Sequence, residues 1–275
     1  MTQGKYILVD GSFCKSDEYR ITSAEAEALH FSQKFRVIRS KLPFFAESLE
    51  LIRLKLLYFN QTYPEFTSND GAALLRQIER TLTKNKHFLG AVVKLTFRFI
   101  ASKVHYTIQS EVIEPVAYEI NTKGLYTEII TPIQKSISSL AALSLGSEIY
   151  WDIASCHKKE STADELLTIN TLGNIIEAPE SNIYLILGNQ VIGVGANQGA
   201  YQDITKPEML SIFEELNLKY TEDIAITEDV LRSAEELMLV NSIKGVQWII
   251  GFEEKRYFNH TTRKINELFQ KRRLS

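Results

Sequence analysis

Asp164-Glu165-Leu166-Leu167-Thr168-Ile169-Asn170, then Gly173-Asn174-Ile175-Ile176-Glu177, then Ser181-Asn182-Ile183-Tyr184-Leu185-Ile186-Leu187 is the stretch that decides the fold. Glu165 to Asn170, Ile175 to Glu177 and Asn182 to Leu187 are short apolar runs rich in Ile and Leu. Turn residues at Thr171 to Asn174 separate the first two, and such runs read as strands. Gly188-Asn189-Gln190 gives a further turn before a strand over Val191 to Val194. A series of strands joined by short turns is the pattern of a meander or a barrel wall. Helical patterns follow at Pro207 to Leu216, Glu228 to Glu236 and Thr261 to Phe269, with Met238 to Val240 and Val246 to Phe252 as short apolar runs between them.

Toward the N-terminus the pattern changes. Tyr6 to Val9 runs into Asp10-Gly11, a strand entering a tight turn, because Asp-Gly tolerates the positive φ that a hairpin requires. Phe35 to Ile38 reads as a further strand. Phe44, Phe45, Leu49, Ile52, Leu56 and Phe59 recur at spacings of three and four, which predicts an amphipathic helix between Pro43 and Asn60. Leu74, Leu75, Ile78 and Leu82 predict another from about Asp70 to Leu82, and the period-two alternation between Ala91 and Val116 predicts two paired strands. Tyr118 to Ile133 is less periodic and is expected to hold a linker. The division that follows is an N-terminal α+β domain over 1–120 and a barrel-like C-terminal domain over 121–275, within the size range of two ordinary domains.

Composition narrows the function classes. The formal net charge is −3 over 275 residues and the pI is near 6.0. A nucleic-acid binder needs a clustered excess of cations, and the densest basic run is Lys271-Arg272-Arg273, expected to be a solvated helix end. No window approaches the roughly 18 uninterrupted apolar residues of a membrane span. Met1 to Lys5 lacks the apolar core of a signal peptide, so a cytoplasmic location is expected. Cys14 and Cys156 lie far apart, and the five histidines show no i, i+4 pair, so no metal site is expected.

Four stretches resemble the fold-type IV pyridoxal-phosphate enzymes, the class IV aminotransferases and aminodeoxychorismate lyases. Phe35-Arg36-Val37-Ile38-Arg39 is similar to the family's Phe-Glu-Thr-x-Arg strand, with Leu29 to Ser32 in place of its Tyr-Gly-Asp-Gly turn. The run from Ala163 to Tyr184 resembles Asp-Glu-x-Leu…Gly-x-x-x-Glu…Ser-x-Asn-x-Phe. Gly199 to Lys206 resembles Gly-x-x-x-Gly-Ile-Thr-Arg with Asp203 replacing a glycine, and Glu235 to Val246 resembles Glu-x-Phe-Leu-Thr-Asn-Ser-x-x-Gly-Val. The implied fold is the two-domain α+β architecture of the D-amino-acid aminotransferase type. The implied cofactor is pyridoxal 5′-phosphate, with Glu177 facing the pyridine nitrogen and Ile204, Thr205, Asn241 and Ser242 holding the phosphate. A homodimer and an amino-acid or chorismate-derived ligand are implied by the same resemblance.

The resemblance also implies a Schiff-base lysine, in a context similar to Leu-Ala-x-x-Lys. This chain reads Leu140-Ala141-Ala142-Leu143-Ser144, so Ser144 stands at the lysine position. A hydroxyl forms no imine and is a poor base near neutrality. Lys135, Lys158 and Lys159 flank the gap and are each expected to be solvated charges. The family's phosphate-binding arginine is likewise missing from Ser48 to Leu51. Three readings stand: a silent relative that keeps the fold to bind a small ligand or a partner, an active lyase or aminotransferase that recruits a displaced lysine such as Lys135 or Lys158, and unrelated chemistry using Glu177, Tyr201 and Ser144. The first is preferred. A lysine amine facing Glu177 within reach of a bound pyridoxal ring would reverse that preference.

Overall fold

The computed structural model describes residues 2–101 and 103–274. The chain forms two units, Met1–Ala117 and Tyr118–Arg273.

The first unit is an antiparallel sheet with helices packed against it. Its strands are β1 (Thr2–Gln3), β2 (Tyr6–Val9), β3 (Ser12–Lys15), β4 (Leu29–Ile38), β5 (Gly90–Ile100) and β6 (Lys103–Val112), in the order β3-β2-β6-β5-β4 with β1 also on β6. Asp10 and Gly11 close the β2–β3 hairpin with φ of 45° and 83°, as the Asp-Gly pair predicts. The helices Phe45–Tyr58 and Ala72–Asn85 present Leu49, Ile52 and Leu56, and Leu74, Ile78 and Leu82, to the core. Strand β4 begins six residues earlier than the alternation at Phe35 suggests. Leu29 to Ser32 is strand rather than turn, because every residue from Leu29 to Ile38 finds a partner on β5.

In the second unit the strands are β7 (Leu125–Lys135), β8 (Glu165–Asn170), β9 (Ile175–Ala178), β10 (Ser181–Leu187), β11 (Gln190–Ile192), β12 (Lys219–Thr221), β13 (Glu236–Asn241), β14 (Gly245–Phe252) and β15 (Lys255–Arg256). Six of them, β10-β13-β14-β7-β8-β9, close into a ring because β9 pairs back onto β10. The barrel wall read from the strand series is therefore present. Its apolar filling includes Leu167, Ile175, Ile176, Ile183, Leu185, Leu237, Leu239 and Ile249.

Three local expectations give way. The stretch expected to hold a linker contains β7, a strand of 11 residues. The helix beginning at Glu228 ends at Ser233, and Glu236 opens β13 instead, its apolar residues drawn into the wall between β10 and β14. The basic C-terminal turn is not simply solvated: Arg272 binds Glu208 and Glu215, and Arg273 binds Glu208, so the last helix, His260–Leu274, is tied to the helix Lys206–Glu215. Among the described residues no helix is long and apolar enough to cross a membrane.

Candidate functional site

Glu177 sits on β9, one position from the strand's end, and is fully buried. This overturns the simplest alternative for it, a surface carboxylate at a strand end. A buried carboxylate needs partners on both oxygens, and Glu177 has them. The Lys135 ammonium donates to Oε1 at 2.8 Å and to Oε2 at 2.7 Å. Trp151 Nε1 donates to Oε1 at 2.8 Å, and the backbone N–H of Tyr201 donates to Oε2 at 2.6 Å.

Lys135 is the main correction to the sequence reading. It ends β7, is 0% exposed, and bonds directly to Glu177 rather than to solvent. Burial pulls its ammonium below the ordinary lysine range, while the Glu177 charge and hydrogen bonds hold it up. Lys158 behaves differently: it is half-buried and lies 3.3 Å from Glu165, while Lys159 is exposed.

The elements explain how these groups meet. Strands β7 and β8 run parallel, and the chain between them carries two helices, Ser139–Ala142 and Glu148–Lys158. Trp151 lies in the second and turns its indole inward to Glu177. Its ring meets Tyr201 edge-on at 5.1 Å and 78°. Pairing between β7 and β8 shifts between Ile130 and Gln134, so the alternation along β7 changes phase and Lys135 turns inward.

At the far side of Tyr201 lies Asp203, 3% exposed. Its Oδ1 accepts from the Thr205 backbone N–H at 2.9 Å, and its Oδ2 accepts from the hydroxyls of Ser242 and Tyr201, each at 3.3 Å. Burial raises its carboxyl above the usual range, opposed chiefly by the Thr205 and Ser242 hydrogen bonds. Asn182 fixes the segment, accepting from Asp203 N at 2.9 Å and donating to the Tyr201 carbonyl. Thr205 precedes the helix Lys206–Glu215, and Ile204 is half-buried in the turn before it. The Thr205 hydroxyl is buried beside the Asp203 carboxylate and favours its charged form.

The sequence-predicted residues thus separate. Thr205 and Ser242 converge, but on Asp203. Asn241 is occupied elsewhere: its Oδ1 accepts from Ile243 N at 2.9 Å and Lys244 N at 2.7 Å, and its Nδ2 donates to Ser181, which shapes the β13–β14 turn. Ser144 is 5% exposed with φ of 67°, its carbonyl accepting from Ser147 N at 2.8 Å as the next helix begins. Among the described residues its hydroxyl forms no hydrogen bond. Trp151, Asp203 and Asn182 were missed as site residues, and Lys135 was named only as one of two lysines that could be recruited. Asp203 was noticed only as a misplaced charge, and an acidic residue replacing a glycine ahead of a helix start is the signal that pointed to it.

Comparison with known proteins follows the same lines. The model of the amino-transferase class IV family matches residues 67–250. A search of the curated proteins gives no match. The fold is similar to a branched-chain aminotransferase from Thermoproteus uzoniensis solved with norvaline, at TM-score 0.83 and 15% identity over 98% of this chain and 94% of that one. An aminotransferase from Brucella abortus, bound to the cofactor PLP, is similar at TM-score 0.82 and 15% identity over 98% and 99% of the two chains. A chain assigned as a 4-amino-4-deoxychorismate lyase, from Legionella pneumophila, is similar at TM-score 0.79 and 15% identity over 94% and 97%. At these identities the likeness shows the fold, while the match over most of the sequence decides the lineage: the chain belongs to the amino-transferase class IV family.

Proposed function

We propose that this chain is a class IV family member that keeps pyridoxal-phosphate chemistry, as a lyase or aminotransferase that uses a displaced lysine, Lys135. The observation that carries the reading is a buried lysine amine facing Glu177: Lys135 Nζ lies 2.8 Å and 2.7 Å from its two oxygens, which meets the condition set by the sequence for reversing the preference for a silent relative. The resemblance puts Glu177 against the pyridine nitrogen, and the aldehyde of pyridoxal phosphate is carried para to that nitrogen. An amine that serves the aldehyde and a carboxylate that serves the nitrogen are then separated by the width of a ring. Lys135 is the candidate for that amine, because it is buried at the end of β7 and its flexible four-carbon stem lets Nζ move from Glu177 toward the aldehyde.

The second reading, a silent relative that keeps the fold to bind a small molecule or a partner, is favoured by Ser144 at the position the resemblance gives to lysine and by the bonds that hold Lys135. To act, Lys135 has to leave Glu177 and become neutral, because only the free amine condenses with a carbonyl or takes a proton. Its bonds to both oxygens of Glu177 oppose that step. Homodimer formation and an amino-acid or chorismate-derived ligand accompany the proposal on the strength of the family alone.

The test is incubation with pyridoxal phosphate, borohydride reduction and peptide mass mapping. The expected result is an absorbance band that saturates and a stoichiometric reduced adduct at Lys135. No adduct at Lys135 and no saturable band would make the silent reading the correct one. A thermal-shift panel of amino acids and chorismate-like acids then addresses the retained fold, since a ligand that binds only the native state raises its apparent stability.

A further inference from the structure

The helix Ala72–Asn85 turns a row of cations away from the core. Arg76, Arg80 and Lys84 follow one another at four-residue intervals, so they share a face and step about 6 Å along the axis. All three are exposed, and among the described residues none of them meets a carboxylate. Beside them the β2–β3 hairpin offers two rings. The Arg80 guanidinium stands 5.3 Å from the centre of the Phe13 ring, and the Lys84 ammonium 4.5 Å from that of Tyr6. Arg80 also donates to Gln77 Oε1 at 2.6 Å. Cations that already rest on rings and hydrogen bonds have fewer rotamers to lose when a ligand arrives. Between helix and hairpin runs a groove of about 420 Å³, lined by Phe13, Arg76, Glu79, Arg80, Thr83 and Lys84.

The wider field has the same sign. Residues 1–117 carry 16 Lys and Arg against 12 Asp and Glu, while residues 118–275 carry 15 against 22. The cationic excess belongs to the unit that holds the groove, and it draws an anionic partner there. Spacing decides which anion. In an extended peptide, side chains on one face recur at about 6.8 Å, close to the roughly 6 Å step of the cation row. Acidic residues at alternate positions then meet one cation each, and the residues between them turn away. A nucleic-acid strand fits worse. Arg80 and Lys84 cover the ring faces on which its bases would stack, and Glu79 repels a continuous run of phosphates. We propose that this groove binds an extended segment of a partner protein with acidic residues at alternate positions. The surface owes nothing to Lys135 or Glu177.

A fluorescein-labelled peptide in which three glutamates alternate with serines, read by anisotropy in dilute salt, tests it. Saturable binding is expected with a Kd of about 10–100 μM. Arg76→Glu combined with Lys84→Glu should weaken it at least about tenfold. Lys94→Glu combined with Lys103→Glu makes the same change of charge at exposed positions on β5 and β6, and should weaken it less than about threefold. Absence of saturation below about 1 mM, or equal losses from the two pairs, overturns the inference. Tighter binding of a thymidine oligonucleotide, lost in the Arg76 and Lys84 variant, also overturns it and gives the groove to nucleic acid. Should that variant fail to fold, acetylation of the wild-type chain decides. The peptide is expected to slow modification of Lys84 at least about threefold relative to Lys94, and an unchanged ratio means that the groove is not where it binds.

Discussion

At the scale of single residues, the Lys135–Glu177 pair is held in a surround that makes each partner dependent on the other unequally. Glu177→Leu strands a buried ammonium, an indole N–H and a backbone N–H together, and is expected to cost about 3–5 kcal/mol. Lys135→Met leaves the carboxylate with two donors, Trp151 Nε1 and Tyr201 N, and should cost less than half as much. Urea denaturation of the two variants gives the comparison, and equal losses would mean that the ammonium supplies most of what Glu177 needs. Glu177 was legible in the sequence because a recognisable run surrounds it. Lys135 was not. A lysine between flexible polar residues looks like a surface charge, and nothing in the order of residues announces the change of phase in β7 that turns it inward.

Among the elements, the two helices and the Asp-Gly hairpin of the first unit could be read directly, since each is specified by near neighbours in sequence. The elements that could not be read depend on distant partners. Strand β7 carries Thr131-Pro132 and an irregular pairing, so its extent is set by β8 and β14 rather than by its own pattern. Leu29 to Ser32 becomes strand only because β5 extends alongside it. The final helix depends on a remote residue in the same way. Glu236, 4% exposed on β13, accepts from the N–H groups of Thr261 and Thr262, each at 2.8 Å, and from the Thr262 hydroxyl at 2.8 Å. A carboxylate at the opening turn of a helix answers its unpaired N–H groups and its positive end. Glu236→Gln keeps the shape and removes the charge, and should lower stability by about 1–2 kcal/mol in the same denaturation experiment. A change below a few tenths would mean that the helix start is satisfied without it.

For the whole molecule, the family lineage was legible from four scattered stretches, while the state of the site was not, because it turns on which side chains touch. The expected homodimer belongs to this scale. The helix Phe45–Tyr58 buries one stripe yet leaves Leu54, Leu57 and Tyr58 exposed, with Leu57 at 70%, an apolar surface that a second copy would cover. Light scattering behind size-exclusion chromatography should give twice the 31.4 kDa mass of the chain, and a mass of one chain at micromolar concentration would remove the dimer from the proposal. The ring of the second unit carries a consequence of its own. Strands joined head to tail around a circle offer no vacant rim to a foreign peptide. The places left for extension are the three residues of β12 and the two of β15, both too brief to template a growing fibril.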